Sequence, residues 1–242
     1  MNVGMNREKT LNFTVRMMMV NCKRERIYRI LIYIIGMLLL ALGITLNTRT
    51  NLGVSPLISI AFCVSKLINV NIGNMTFLLY VVFVVVEIAS HIIMKRYKAI
   101  IADILQIPLS IVFTRFMNIF TVVIPDMTGG IIGRLVALMI AIVLTGMGIV
   151  LTLNVRLIPN PGDGIVQALA DLFQEKISTV KNVLDTVCAV ATIVLGLVFA
   201  GEIIGIGIGT VLAVIFVGRV VAVGNHFLKD KIIRYSGLEE KS

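Results

Sequence analysis

Apolar residues come in long runs along this chain, and the charges fall between them. No Asp, Glu, Lys or Arg occurs in 30–48, 67–86 or 135–155. Residues 186–201 and 203–218 are separated only by Glu202, and 104–125 is interrupted once, by Arg115. A helix needs about 20 apolar residues to cross the hydrocarbon core of a bilayer. The runs therefore predict six spans, over 27–46, 75–94, 100–124, 132–153, 180–200 and 205–225. Two shorter helices, 56–68 and 164–176, each follow a break rich in Pro, Gly and Asn. The first break is Asn51-Leu52-Gly53-Val54-Ser55-Pro56, in which Ser55 before Pro56 is a helix-start signal. The second is Pro159-Asn160-Pro161-Gly162-Asp163-Gly164.

The order of events occurs twice. A long span ends in Asn-x-Arg (Asn47/Arg49, then Asn154/Arg156), and a break, a short helix and another long span follow. An offset of 107 superimposes both Asn-x-Arg pairs and sets Ser55 against Gly162 and Pro56 against Asp163. Interrupted apolar segments in corresponding positions of two halves point to a transporter-type site. If the short helices are re-entrant, the basic residues of the N-terminal tail, 95–98, Arg156, Lys176 and the C-terminal tail all share one side. The positive-inside rule makes that side cytoplasmic. Three full crossings per half would then invert one half relative to the other. The expected fold is an all-α polytopic bundle of about six spans plus two short broken helices, in two inverted repeats. It divides into a basic cytoplasmic tail (1–26), a membrane domain (27–225, halves 27–124 and 131–225) and a cytoplasmic C-tail (226–242).

Composition agrees with this reading. Of 242 residues, 58% are hydrophobic and 14% charged, against about 25% charged in soluble domains. An ordinary soluble enzyme and a disordered chain are excluded. The net charge of +9 reflects flanking cytoplasmic charge rather than nucleic-acid binding. Cys22, Cys63 and Cys188 are scattered, with neither a disulfide framework nor metal-ligand spacing. The first apolar run is too long for a signal-peptide core and is expected to be retained.

Charges inside spans are expensive, and each needs a reason. Glu87 and His91, at i and i+4, are expected to pair or to relay protons. Asp103 is expected to pair with the 95–98 cluster, Arg115 to face a partner or cavity, and Asp185 to pair with Lys181 or act as a coupling carboxylate. Ser55 and Asp163 open the short helices, where free N–H groups and the helix dipole favour an anion. The expected solute site comprises Asn47, Arg49, Asn51 and Ser55 with Asn154, Arg156, Asn160 and Asp163. No nucleophile elbow, phosphate loop or zinc motif occurs, so no catalytic or metal residue, cofactor or enzymatic activity is expected. The leading expectation is a small secondary transporter for a small solute, which the helix starts allow to be anionic. The alternative is a membrane scaffold that recruits a partner. The expected surroundings are lipid, the solute and further copies of the chain.

The glycine-rich motifs also resemble the YczE/YyaS/YitT-type family of bacterial integral membrane proteins. The matching residues are Asn51 to Pro56, Asn71-Ile72-Gly73-Asn74, Pro161-Gly162-Asp163-Gly164, and Gly205-Ile206-Gly207-Ile208-Gly209-Thr210 with Gly218. The similarity covers about 27–225. Arg219 stands where the pattern has proline. The resemblance implies a multi-pass protein of the bacterial cell membrane, and it assigns no substrate.

Overall fold

The computed structural model describes residues 24–238 with their side chains, and the backbone of the first helix back to Val3. The more N-terminal basic residues of the tail lie outside the residues described with side chains. The chain forms α1 (Val3–Arg49), α2 (Pro56–Leu67), α3 (Ile72–Ile93), α4 (Tyr97–Val123), α5 (Ile131–Asn154), α6 (Pro161–Phe173), α7 (Ile177–Ala200) and α8 (Ile208–Tyr235). Among the described residues there is no strand. Six segments are long and apolar enough to cross a membrane: Arg24–Arg49, α3, α4, α5, α7 and α8. Many side chains pointing away from the bundle are large and apolar, including Val82, Val85, Ile119, Val187 and Val194. Such a surface suits lipid rather than water. The protein is a multi-pass, all-helical membrane bundle.

The short helices do not cross. At 1.5 Å per residue, the 12 residues of α2 and 13 of α6 reach only about 18–20 Å. Arg49 pairs with Asp126 at 2.7 Å beyond α4, and Gly73 N–H donates to Asn118 of α4, so α2 leaves and returns at one end of the bundle. At the opposite end Arg29 holds the Val155 carbonyl and Arg96 pairs with Asp171 of α6. Thus α6 leaves and returns at this second end. The two helices enter from opposite ends, and their N-termini meet inside, where a Cβ on Gly162 would lie 2.7 Å from Leu57 Cδ2.

Contacts recur at a constant spacing. Both short helices begin with proline, and 161 − 56 and 177 − 72 both give 105. Arg29 donates to the carbonyls of Val155 and Arg156, and Arg134, 105 residues later, donates to those of Thr50 and Asn51. Asn51 and Arg156 both have positive φ, 53° and 48°. At the α1–α5 crossing, a Cβ on Gly43 would sit 2.6 Å from Thr145 N, and one on Gly148 2.6 Å from Leu40 N. Small residues let these helix backbones approach closely. The structural register is therefore 105 rather than 107. The Asn-x-Arg pairs sit two residues out of register because helix start, set by proline, governs the geometry. In this register Ser55 matches Asn160 and Pro56 matches Pro161.

The packing of whole helices follows the same rule, with one exception. α2 lies on α7 as α3 lies on α6, and α1 on α4 as α5 on α8. α3 packs closely along α4, whereas α7 and α8 scarcely touch.

Candidate functional site

The gap between α7 and α8 leads into a cavity of about 450 Å³. Drug-sized ligands occupy pockets of about 300–1,000 Å³. The N-termini of both short helices line it, through Val54–Ile58 and through Asn160, Gly162 and Asp163. Its walls are apolar, from α1 (Leu40, Ile44), α5 (Ile142, Ile149) and α8 (Val214, Val217). Its charged side chains are Asp163, Lys181 and Asp185. Ile177, Ser178 and Lys181, in the first two turns of α7, are exposed and form the mouth.

The other end of the cavity is sealed. The Leu52–Val54 segment runs against the glycine-rich α7–α8 connection: Val54 N–H donates to the Gly205 carbonyl (2.8 Å) and Gly209 N–H to that of Leu52 (2.7 Å). Gly53, at φ +110°, adopts a backbone few other residues can, and a Cβ there would lie 2.6 Å from Gly207 N. Ser59 and Thr192 share a 2.6 Å hydrogen bond between α2 and α7.

A second, smaller void occupies the matching place between α3 and α4. Tyr33, Met37, Leu40, Tyr80, Asn160 and Pro161 are among its lining residues. In the 105 register Met37, Tyr80, Asn160 and Pro161 match Ile142, Asp185, Ser55 and Pro56 of the large cavity. Its volume is about 20 Å³, room for about one water molecule. Tyr80 fills it, stacked on Phe113 with ring centroids 6.0 Å apart, while Tyr33 Oη donates to the Ile158 carbonyl.

Of the residues singled out from sequence, Asn47, Ser55, Asn160, Asp163 and Asp185 line the large cavity. Asn160 caps α6, its side chain accepting from Gly162 N–H, so Asp163 sits in the first turn and is not the cap. Ser55 occupies the cap position of α2 without a side-chain cap bond. Arg49 is held by Asp126 and the Thr121 carbonyl. Asn51 adjoins the α7–α8 connection, Asn154 donates to Asn225, and the backbone carbonyl of Arg156 accepts from Arg29. Arg115 is exposed and reaches Asn74 at 3.4 Å. None of these five lines the large cavity.

Glu87 and His91 do not pair. Glu87, buried at 1% exposure, accepts from Gln106 Nε2 at 2.6 Å, while His91 Nδ1 meets Asp103 Oδ2 at 2.7 Å. Each acid finds a partner across the α3–α4 interface, although Glu87 Oε1 is left without one, and sequence spacing within α3 could not reveal these pairings. Asp103 therefore turns to His91 and not to the lysine cluster. Lys181 and Asp185 do form the i, i+4 pair, at 3.4 Å. Among the described residues no three His, Cys, Asp or Glu side chains gather closely enough to hold a metal ion.

Residues 27–226 match the DUF6198 family, a family of unknown function. The chain belongs to that family. It is also 27% identical over 208 residues to the uncharacterized protein YyaS of Bacillus subtilis (strain 168), a match covering 81% of this chain and 94% of the relative. No solved structure matches the chain. The stretch shared with the family takes in all the helices that line the cavity. Sequence reading missed several lining residues that are apolar or unremarkable in composition, above all Tyr80, Lys181, Asn182 and the α8 face from Ala213 to Val221. Lys181 had one signal, its spacing from Asp185. Tyr80 had none, because its role depends on a match to Asp185 that only the 105 register exposes.

Proposed function

We propose that this member of the DUF6198 family is a small secondary transporter of two inverted repeats that alternates between two matched half-sites. The observation that carries the reading is the inequality of those half-sites, about 450 Å³ against about 20 Å³. A chain with two equivalent structural halves has two equivalent ways to be asymmetric. In the state seen here α3 is closed on α4 and α7 is parted from α8. Exchanging the conformations of the halves would close the cavity at its present mouth and open one at the other end. That exchange is rocking of one repeat against the other around broken helices.

Charge supports the orientation. The end with the mouth carries Arg24, Arg26, Arg29, Lys95, Arg96, Lys98, Arg156, Lys176, Lys229, Lys231 and Arg234. The sealed end carries Arg49, Lys66 and Arg134. The positive-inside rule then makes the open mouth and both termini cytoplasmic, in the cell membrane. The test is solute exchange in liposomes. In a Ser178→Cys/Val221→Cys variant a short bismaleimide with a disulfide in its spacer should bridge the mouth and stop exchange, and reduction of that disulfide should open the bridge and restore it. A broad solute screen giving neither exchange nor thermal stabilisation would remove the proposal.

A further inference from the structure

Two side chains lining the open cavity hold a buried acceptor oxygen that meets no donor. Asp185 is 8% exposed, its Oδ2 faces Lys181 and its Oδ1 has no hydrogen-bond partner. Asn47, 6% exposed, also leaves its Oδ1 without a partner. Asp163, half-buried in the first turn of α6, lines the same cavity. A buried acceptor without a donor costs about 1–3 kcal/mol, so Asp185 Oδ1 and Asn47 Oδ1 both ask for donors. The two carboxylates also outnumber the one lysine, leaving a net negative charge among the side chains.

The helix ends do not reverse this sign. A helix N-terminus carries about half a positive charge and attracts anions through free N–H groups. At α6 those groups are used: Pro161 has none, Gly162 N–H goes to Asn160 Oδ1, and Asp163 and Gly164 N–H both go to the Asn160 carbonyl at 2.8 Å. At α2 Pro56 again has none and Ile58 N–H is taken by the Ser55 carbonyl at 3.0 Å. The cavity therefore offers carboxylates openly and amides hardly at all.

We propose that the cavity binds an organic monocation bearing N–H donors, of the guanidinium or primary ammonium type, on a compact apolar body. The cationic head meets Asp185 and Asp163, and the body lies along Ile44, Ile142, Val214 and Val217. This inverts the anion preference that the helix starts alone suggest. The inference rests on the transport reading for its purpose, but not for the binding itself.

The experiment uses the full chain in lipid nanodiscs, titrated calorimetrically with phenethylguanidinium, 3-phenylpropionate and 2-phenylethanol. These are a cation, an anion and a neutral molecule of similar size, and a guanidinium stays charged at any working pH. The cation should bind and the anion should not. Asp185→Asn and Asp163→Asn should each raise Kd about tenfold, the equivalent of one modest charge pair. Lys181→Gln frees Asp185 and should lower Kd, which keeps the proposal testable if an Asp variant fails to fold. Anion binding as tight as cation binding overturns the proposal. So does an absence of cation binding, or a Kd that Lys181→Gln leaves unchanged or raises. Cation binding in nanodiscs without exchange of the labelled cation across liposomes keeps the assignment and removes the transport reading. Exchange of another solute without cation binding does the reverse.

Discussion

The α1–α5 crossing makes a demanding prediction, because two glycines sit in equivalent contacts. A Cβ at position 148 would lie 2.6 Å from Leu40 N, and one at position 43 would lie 2.6 Å from Thr145 N. Each obstacle is backbone, which cannot swing aside as a side chain can. Ordinary contact begins at 3.4 Å, so the helices must part by about 0.8 Å (3.4 − 2.6). Overpacking of this kind costs about 1–3 kcal/mol. At about 2–4 °C per kcal/mol for a chain of this size, Gly148→Ala should lower Tm by about 2–12 °C. Gly43→Ala should cost about the same. Gly133→Ala is the control, since a Cβ there meets nothing within 4 Å. The assay is thermal unfolding of the purified chain in one detergent, followed by loss of the monodisperse peak. If Gly148→Ala melted with Gly133→Ala, the helices would not be in backbone contact. If only one of the two crossing variants were destabilised, the contacts would not be equivalent.

Other predictions test the matched contacts. Arg29→Ala and Arg134→Ala each remove charge-assisted bonds to the carbonyls beyond a helix end and should each cost about 1.5–3 kcal/mol, read as matching Tm losses. Glu87 and Gly164 stand in the 105 register where Thr192 and Ser59 stand in the other half, and a Cβ on Gly164 would lie 2.7 Å from Glu87 Oε2. Gly164→Ser alone should therefore destabilise, and Glu87→Thr in the same chain should recover most of the loss; a double variant no better than the single one would contradict the match. Cys63 and Cys188 are both buried, at 0% and 3% exposure, so maleimide should label neither at an appreciable rate until the chain is unfolded.

Most of the fold is legible in the sequence, for a definite physical reason. A bilayer admits only helices that satisfy their own backbone, so charge-free runs read directly as spans. The expected spans at 100–124 and 132–153 lie within a few residues of α4 and α5. The last span is longer than expected: α8 continues to Tyr235, because its polar final turns stay helical beyond the apolar run. The starts of the short helices were less legible. Composition drew attention to Asp163, yet Pro161 with Asn160 before it sets the beginning of α6. Least legible were pairings between distant helices. Nothing local distinguishes Arg134, which holds Thr50 and Asn51, from Arg115, which is exposed. Likewise no residue pattern announces that α3 closes on α4 while α7 stands off from α8. That difference lies in packing between distant helices, and on the proposed alternation either half could carry it.

The most direct test follows from that last point. Spin labels at the exposed positions 183 and 223 would report across the α7–α8 gap, and labels at the exposed positions 78 and 119 across the α3–α4 interface. Pulsed distance measurements in nanodiscs, with and without phenethylguanidinium, would read both pairs. Alternation predicts two populations for each pair, with the conditions that shorten 183–223 lengthening 78–119 to the same degree. A single fixed distance for both pairs under every condition, or movement of one pair without the other, would contradict it.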